Sequence, residues 1–414
     1  LEFYQLDTAH LSVAGVAKDA AAKAVWVVNG AKAAEGATFD FTTAHPGKYE
    51  VTLTVDGKSA KHTYTVAPRF SEGAFLLNEG NFANETGSLT YIHPSKKLVI
   101  DQAYYRVNGT KLGNVCQDLA FGNDQIYILS QLGPKNGGEG LLTIARSNSL
   151  EKVKVYNDEA LAQSTPTHIA VLRDHIYIRT ERDGILRGSS EGGFTPITGT
   201  KKALKQRMAQ IGERIFALTK DNKILMIQGT QVVRELDLSP AKPSGIAVSH
   251  DGKLWVSTTS PNAILKVDPT PDNFIALDTH ILDKSISATG PESWQRTTSS
   301  AFFAHGDKLY FTGQSSVIYC HDFATSKTSQ VIDVKTIDGV GTSANMYYNS
   351  LGVDPSTGEL YYAAFEGYST YNKKNVTMVL KADGTKLLLK EKVNSFPAGF
   401  YFIPNAASRT GANQ

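Results

Sequence analysis

The sequence predicts an all-β chain: a seven-bladed β-propeller preceded by a small immunoglobulin-like β-sandwich. Three observations carry this. An inner-strand pattern recurs seven times after Phe75, six times with a turn and second strand behind it; its central position is nearly always Ala or Gly, and the last copy lacks partner strands that the start of the repeat region supplies.

Residues 1–68 differ in character from the rest. "AVWVVNG" (Ala24–Gly30), "ATFDFTTAHPGKYEVTLTVDG" (Ala37–Gly57) and "AKHTYTVAP" (Ala60–Pro68) alternate apolar and polar residues between turns. Side chains alternate across a strand, so Trp26, Phe39, Phe41, Tyr49, Val51, Leu53 and Val55 are expected on one inward face. The Trp-bearing strand, the "NG" turn and the "HPGKYEVTLTV" run resemble a polycystic-kidney-disease-type (PKD-type) domain. Residues 69–74, within "APRFSEG", are expected to be a linker, and residues 75–414 the propeller.

The inner strands of the repeat are "DLAFG" from Asp118, "HIAVL" from His168, "RMAQI" from Arg207, "GIAVS" from Gly245, "SAFFA" from Ser300, "SLGVD" from Ser350 and "PAGFY" from Pro397. Each of the first six is followed by a second strand of the type "IYILS" (Ile126) or "LWVST" (Leu254). The seventh inner strand finds its partner at the other end, in "AFLLNEG" from Ala74, and that pairing ties the ring shut. The central residues are read as Ala120, Ala170, Ala209, Ala247, Phe302, Gly352 and Gly399, small where strands crowd an axis.

Composition is that of an ordinary soluble globular chain, and a formal net charge of +2 offers no polybasic field for nucleic acid. The sequence starts at Leu1, so the absence of a signal segment carries no information on location. Cys116 and Cys320 are far apart and are expected to be unpaired thiols. No Walker loop, HExxH, GxSxG or CxxC pattern occurs, and the histidines are scattered, so neither a metal site nor a catalytic constellation is expected. The leading ends of the inner strands are read as Gln117, Thr167, Gln206, Ser244, Ser299, Asn349 and Phe396. With Asp118 as the only carboxylate beside them, this ring is a neutral, hydrogen-bonding surface, which favours binding over catalysis.

Long loops joining second to third strands, or fourth strands to the next inner strand, emerge on one face. They place Phe82, Trp294, Tyr347, Tyr348, Phe365, Tyr368, Tyr371 and Phe396 on or near that face, an aromatic set suited to a bulky ligand, with Gln131, Arg296 and Asn349 as polar candidates beside it. Mutual packing of the loops is the alternative use of these rings. On the shorter-loop side, Arg179, Arg182, Lys201, Lys202, Lys205, Arg207 and Lys220 form a basic sector able to receive an anionic part of a ligand, or simply a solvated surface.

"FLLNEGNFANETGSLTYIHP" and "NGTKLGNVCQDLAF" resemble the opening of the YncE-like propeller lipoproteins of gut Bacteroidetes, and the blade pattern extends the resemblance over residues 75–404. The resemblance implies a lipid-anchored, cell-surface protein of the outer membrane that captures a small-molecule ligand and passes it to a TonB-dependent transporter. Characterised relatives bind cobalamin or ferric siderophores. The chain is therefore expected to be a monomeric, non-enzymatic capture protein for a corrinoid, with no cofactor of its own. A ferric siderophore is the alternative ligand, and a structural or adhesive role through protein contacts the alternative class.

Overall fold

The computed structural model of the chain describes residues 2–287, 300–347 and 350–404. Seven four-stranded antiparallel sheets follow one another along the chain after residue 73, and a smaller β unit precedes them. Blade 1 is Cys116–Gly122, Gln125–Ser130, Leu142–Arg146 and Lys152–Tyr156. The inner strands of blades 2 to 6 are Pro166–Leu172, Ala209–Ile211, Pro243–Val248, Phe302–His305 and Leu351–Val353. Blade 7 is composite: the C-terminal Pro397–Phe402 is its inner strand, hydrogen-bonded to Ala74–Asn78, with Ser88–His93 and Leu98–Ile100 outside.

The inner strands touch in cyclic order from blade 1 to blade 7 and back to blade 1, which makes the seven sheets a closed β-propeller. Closure leaves no inner edge to pair with another chain. The apolar residues of each blade are buried against the next blade, so the core is a ring of clusters between sheets.

The strand ladders correct part of the repeat alignment. A large residue in the second strand, Tyr127, Tyr177, Phe216, Trp255 or Tyr361, faces Ala120, Ala170, Ala209, Ala247 or Gly352. In blade 5 the equivalent Tyr310 faces Phe303, and in blade 7 Phe75 faces Tyr401. The central ring thus holds Phe303 and Tyr401 instead of Phe302 and Gly399, and the corresponding leading positions are Ser300 and Ala398 instead of Ser299 and Phe396. A repeat matched by residue type alone cannot see a one- or two-residue offset that only the ladder fixes. Small size is imposed where it occurs: a Cβ on Gly352 would sit 2.5 Å from Phe400 Cβ.

The N-terminal unit pairs a five-stranded sheet with the two strands Thr8–Ser12 and Thr38–Thr42. Trp26, Phe41, Val51 and Val66 form its core, flanked by Phe39, Tyr49 and Leu53. Val55, at a hairpin end, lies outside that cluster.

This unit is bolted to blades 7 and 1. The fully buried Gln5 donates through Nε2 to Ala44 O at 2.8 Å and to Ser149 O at 2.9 Å, in the third-to-fourth turn of blade 1. Arg69 donates to Gln5 O and pairs with Asp7, and Lys96 of blade 7 lies 4.9 Å over the Tyr4 ring. The segment expected to be a linker is fastened too. Phe70 is fully buried in the core shared by blades 7 and 1, edge-on to Tyr91 at 4.9 Å.

Candidate ligand-binding face

Strands in each sheet alternate in direction, so second-to-third loops and the connectors into inner strands share one face, and third-to-fourth turns share the other. The N-terminal unit holds Ser149 and Lys96, both on third-to-fourth turns. It therefore sits on the face opposite the long loops.

Three long loops meet as an aromatic rim. In the blade 6 loop, Tyr371 stacks on Phe396 at 4.3 Å, Phe365 meets the same ring edge-on at 5.2 Å, and Tyr368 lies over it at 5.9 Å and 28°. Glu85 of the blade 7 loop ties this cluster down by accepting from Tyr371 Oη at 3.0 Å and Ser395 Oγ at 2.7 Å. The blade 1 loop closes the row: Lys135 Nζ lies 3.4 Å over the Phe82 ring, and Asn136 donates to Phe82 O at 3.3 Å.

Mutual packing accounts for part of the expected ligand set. Phe365 has no accessible surface, and Tyr371 and Phe396 are largely buried. Tyr368 and Phe82 remain 48% and 58% exposed, so they are the rings of this rim that stay open to solvent. Tyr347 packs at the edge of the blade 5–6 core, with Lys335 Nζ 5.5 Å over its ring, and Gln131 is half-buried with its backbone held by Val115 O. Trp294, Arg296, Tyr348 and Asn349 lie outside the described residues.

The basic residues of blades 2 and 3 occupy second-to-third loops and connectors into inner strands, hence the same face as the aromatic rim. Two of them turn inward. Arg179 is 2% exposed, donates to Ala203 O and Thr167 Oγ1, and pairs with Glu181 at 3.0 Å. Lys205 is 4% exposed and stands 3.6 Å from the other Glu181 oxygen. Burial lowers the Lys205 pKa, opposed by Glu181 and by Glu79, which reaches it from blade 7. The mouth of the axis is thus a balanced charge network, not the neutral ring expected. Glu181 and Glu79 were missed because neither lies on an inner strand; the "RTERD" and "LNEGN" loops that carry them gave no periodic signal.

Gln117 and Thr167 keep their expected places for a reason absent from the repeat pattern. The ladder skips one residue between Cys116 and Asp118, between Pro166 and His168, and between Pro243 and Gly245. Such β-bulges re-aim Gln117, Thr167 and Ser244 relative to the strand. The Oε1 atoms of Gln117 and Gln206 are buried and have no hydrogen-bond partner.

Below the mouth, Asp118, Arg207 and Tyr401 cross the axis. Arg207 Nε lies 3.3 Å from Asp118 Oδ1, and the guanidinium stands 4.1 Å over the Tyr401 ring. Burial raises the Asp118 pKa against the pull of Arg207, Tyr401 and the Ile169 amide. A cavity of about 220 Å³ opens beneath them between Phe121, Val171, Met208 and Gln210. Both cysteines are buried and unpaired, and burial pushes the Cys116 thiol up. Among the described residues, no group of three or more His, Cys, Asp or Glu side chains could hold a metal ion, and no helix is long and apolar enough to cross a membrane.

A family model described as a domain of unknown function (DUF5074) matches residues 72–404. No curated protein matches the chain. Among solved structures, a quinonprotein alcohol dehydrogenase-like protein from Bacteroides thetaiotaomicron is 16% identical, with a TM-score of 0.63 over 97% of this chain and 96% of that one. A protein from Lactobacillus plantarum and a functionally unknown protein from Desulfotomaculum acetoxidans are each 13% identical over 80% of this chain and 99% of theirs, with TM-scores of 0.51 and 0.50. At such identities the likeness concerns the fold alone.

Proposed function

The chain belongs to the DUF5074 family, and for this member we propose capture of a bulky nutrient cofactor, a corrinoid, on the long-loop face. One observation carries the reading. Tyr368 is an exposed ring lying over the buried Phe396, and Phe82 is an exposed ring capped by the Lys135 ammonium. Rings already fixed in place lose little entropy when a rigid ligand covers them, and their area can support tight binding.

Binding is favoured over catalysis because Asp118 and Glu181 each face cations, which ties up the carboxylates at the mouth. The same pairing weighs against a ferric siderophore, a polyanion that would need a larger surplus of positive charge. Following the resemblance to YncE-like lipoproteins, the protein would act at the cell surface and deliver its ligand to an outer-membrane TonB-dependent transporter. The N-terminal unit, read as PKD-type, would then be a rigid spacer on the opposite face.

Calorimetric titration with cyanocobalamin and with cobinamide tests this directly. Saturable binding of either supports the corrinoid reading. No heat and no thermal shift with both overturns it, and recovery of a protein partner through the bare face would then favour the adhesive role.

A further inference from the structure

Two short second-to-third loops and the longer connector into blade 3, all on the long-loop face, carry cations that the charge network of the mouth does not use. Arg182, Lys201 and Lys220 are exposed and have no ion-pair partner among the described residues. Their neighbours are committed: Arg179 and Lys205 to Glu181, Lys202 to Asp221 at 3.1 Å, and Arg207 to Asp118. Among the described residues, Asp183 is the carboxylate of these loops without an ion pair; it accepts from Ser164 Oγ at 2.6 Å.

The backbone under the three cations is stitched together. Lys220 N donates to Lys202 O at 2.9 Å, Ala203 bridges to Thr219, and Ile185 N donates to Thr200 Oγ1 at 2.9 Å. Gly184 lies so close to Thr200 that a Cβ there would meet its carbonyl carbon at 2.6 Å. The backbone that carries the cations is therefore fixed, and three cations against the one carboxylate Asp183 leave a surplus of two positive charges, enough to hold a phosphodiester and little for a polyanion. It lies across the axis from the aromatic rim. Glu79, where the blade 7 loop begins, is within electrostatic reach of Lys205 in the connector into blade 3.

We propose that the cationic rim of Arg182, Lys201 and Lys220 receives an anionic phosphodiester of the captured ligand while its ring system covers Tyr368 and Phe82. This rests on the corrinoid reading and sharpens it. A complete cobalamin carries a ring system and a nucleotide tail with one phosphodiester, whereas cobinamide keeps the ring and lacks the tail. The rim would make the protein prefer the complete form.

The test compares cyanocobalamin and cobinamide on the full chain and on the triple variant R182A/K201A/K220A, at low and moderate salt. The substituted side chains are exposed, so the melting temperature should hold. The variant should weaken cyanocobalamin about tenfold and flatten its salt dependence while changing cobinamide by no more than about twofold. Equal losses for both ligands, or none for either, overturn the assignment of the rim while leaving corrinoid capture standing. If the unmodified chain binds neither ligand, the corrinoid reading falls and this assignment with it.

Discussion

The Tyr401 hydroxyl donates to Asp118 Oδ1 at 2.5 Å, although 283 residues separate the two. The same carboxylate accepts from Ile169 N at 3.0 Å and faces Arg207. One side chain of blade 1 thereby engages blades 7 and 2 and the connector into blade 3. The C-terminal strand is locked by a buried polar contact as well as by its ladder. Tyr401→Phe keeps the ring under Arg207 and removes only the donor. It should cost about 1.5–3 kcal/mol, the range for a hydrogen bond to a charged group, read as a lower urea midpoint with an unchanged slope.

Gly399 guards the same contact. Its φ is +150°, and a Cβ there would stand 2.1 Å from Arg207 Nη2. The guanidinium can swing aside, but Asp118 would then keep its burial and lose its cation. Gly399→Ala should therefore cost about 3 kcal/mol or more, as for other broken buried pairs. In the Asp118→Asn background the same substitution should cost less, because no buried charge is left stranded. Additive losses in denaturant unfolding would mean that Gly399 serves its own backbone and not Arg207.

These residues show where the sequence was legible and where it was not. The repeat of small central residues and "IYILS"-type strands revealed the blades because every copy meets the same crowding near the axis. It could not reveal the true register of Phe303 and Tyr401, since ladder pairing is a long-range property. The aromatic loops were legible as a set. Their division into packed rings (Phe365, Tyr371, Phe396) and open rings (Tyr368, Phe82) depends on which loops touch, and residue type does not record it. Glu181 was invisible for a like reason: its importance comes from Arg179 and Lys205, which fold places beside it.

The N-terminal unit should be removable without loss of ligand affinity, provided the cut spares Phe70. That ring is buried against Phe75 and Tyr91 and belongs to the propeller core. A chain beginning at Arg69 should fold and bind like the whole protein. One beginning at Ser71 should lose about 3–5 kcal/mol, the range for emptying a buried Phe site. Thermal melting of the two truncations separates these cases. Equal stability would place the boundary after Phe70, and weaker binding by the Arg69 form would show that the N-terminal unit supports the ligand face.

Acid should loosen the seam between blades 4 and 5. His280 Nδ1 and His321 Nε2 face each other at 2.9 Å, and His321 Nδ1 meets Thr328 Oγ1 at 3.0 Å. A hydrogen bond between two imidazoles needs one nitrogen to stay unprotonated. Burial, and then His280, lowers the His321 pKa from its ordinary 6.5, with Asp322 opposing. The fold thus prefers neutral His321. Stability should be full above about pH 6.5, fall as pH drops below it, and level off once folded His321 is itself protonated. His321→Gln should flatten that decline between pH 7.5 and 5.5 in thermal melts. An unchanged slope would assign the loss to other groups.

The aromatic rim gives the sharpest division of roles. Tyr368 and Phe82 are about half exposed, so removing either ring uncovers little core; Tyr368→Ala and Phe82→Ala should change folding stability by no more than about 0.5 kcal/mol. If a corrinoid lies on them, each should cost about 1–3 kcal/mol of binding, the behaviour of rings at the centre of a contact. Phe396→Ala should do the reverse first. Its ring is the base on which Tyr368 and Tyr371 stack and against which Phe365 packs, so its loss should lower stability by about 3–5 kcal/mol. Binding would then weaken as well, because Tyr368 loses the surface that holds it flat. Calorimetry on the three variants, with melts as control, separates a ring that touches ligand from one that supports it. Tyr368→Ala and Phe82→Ala proteins that bind cyanocobalamin as tightly as the unmodified chain would move the ligand off this rim.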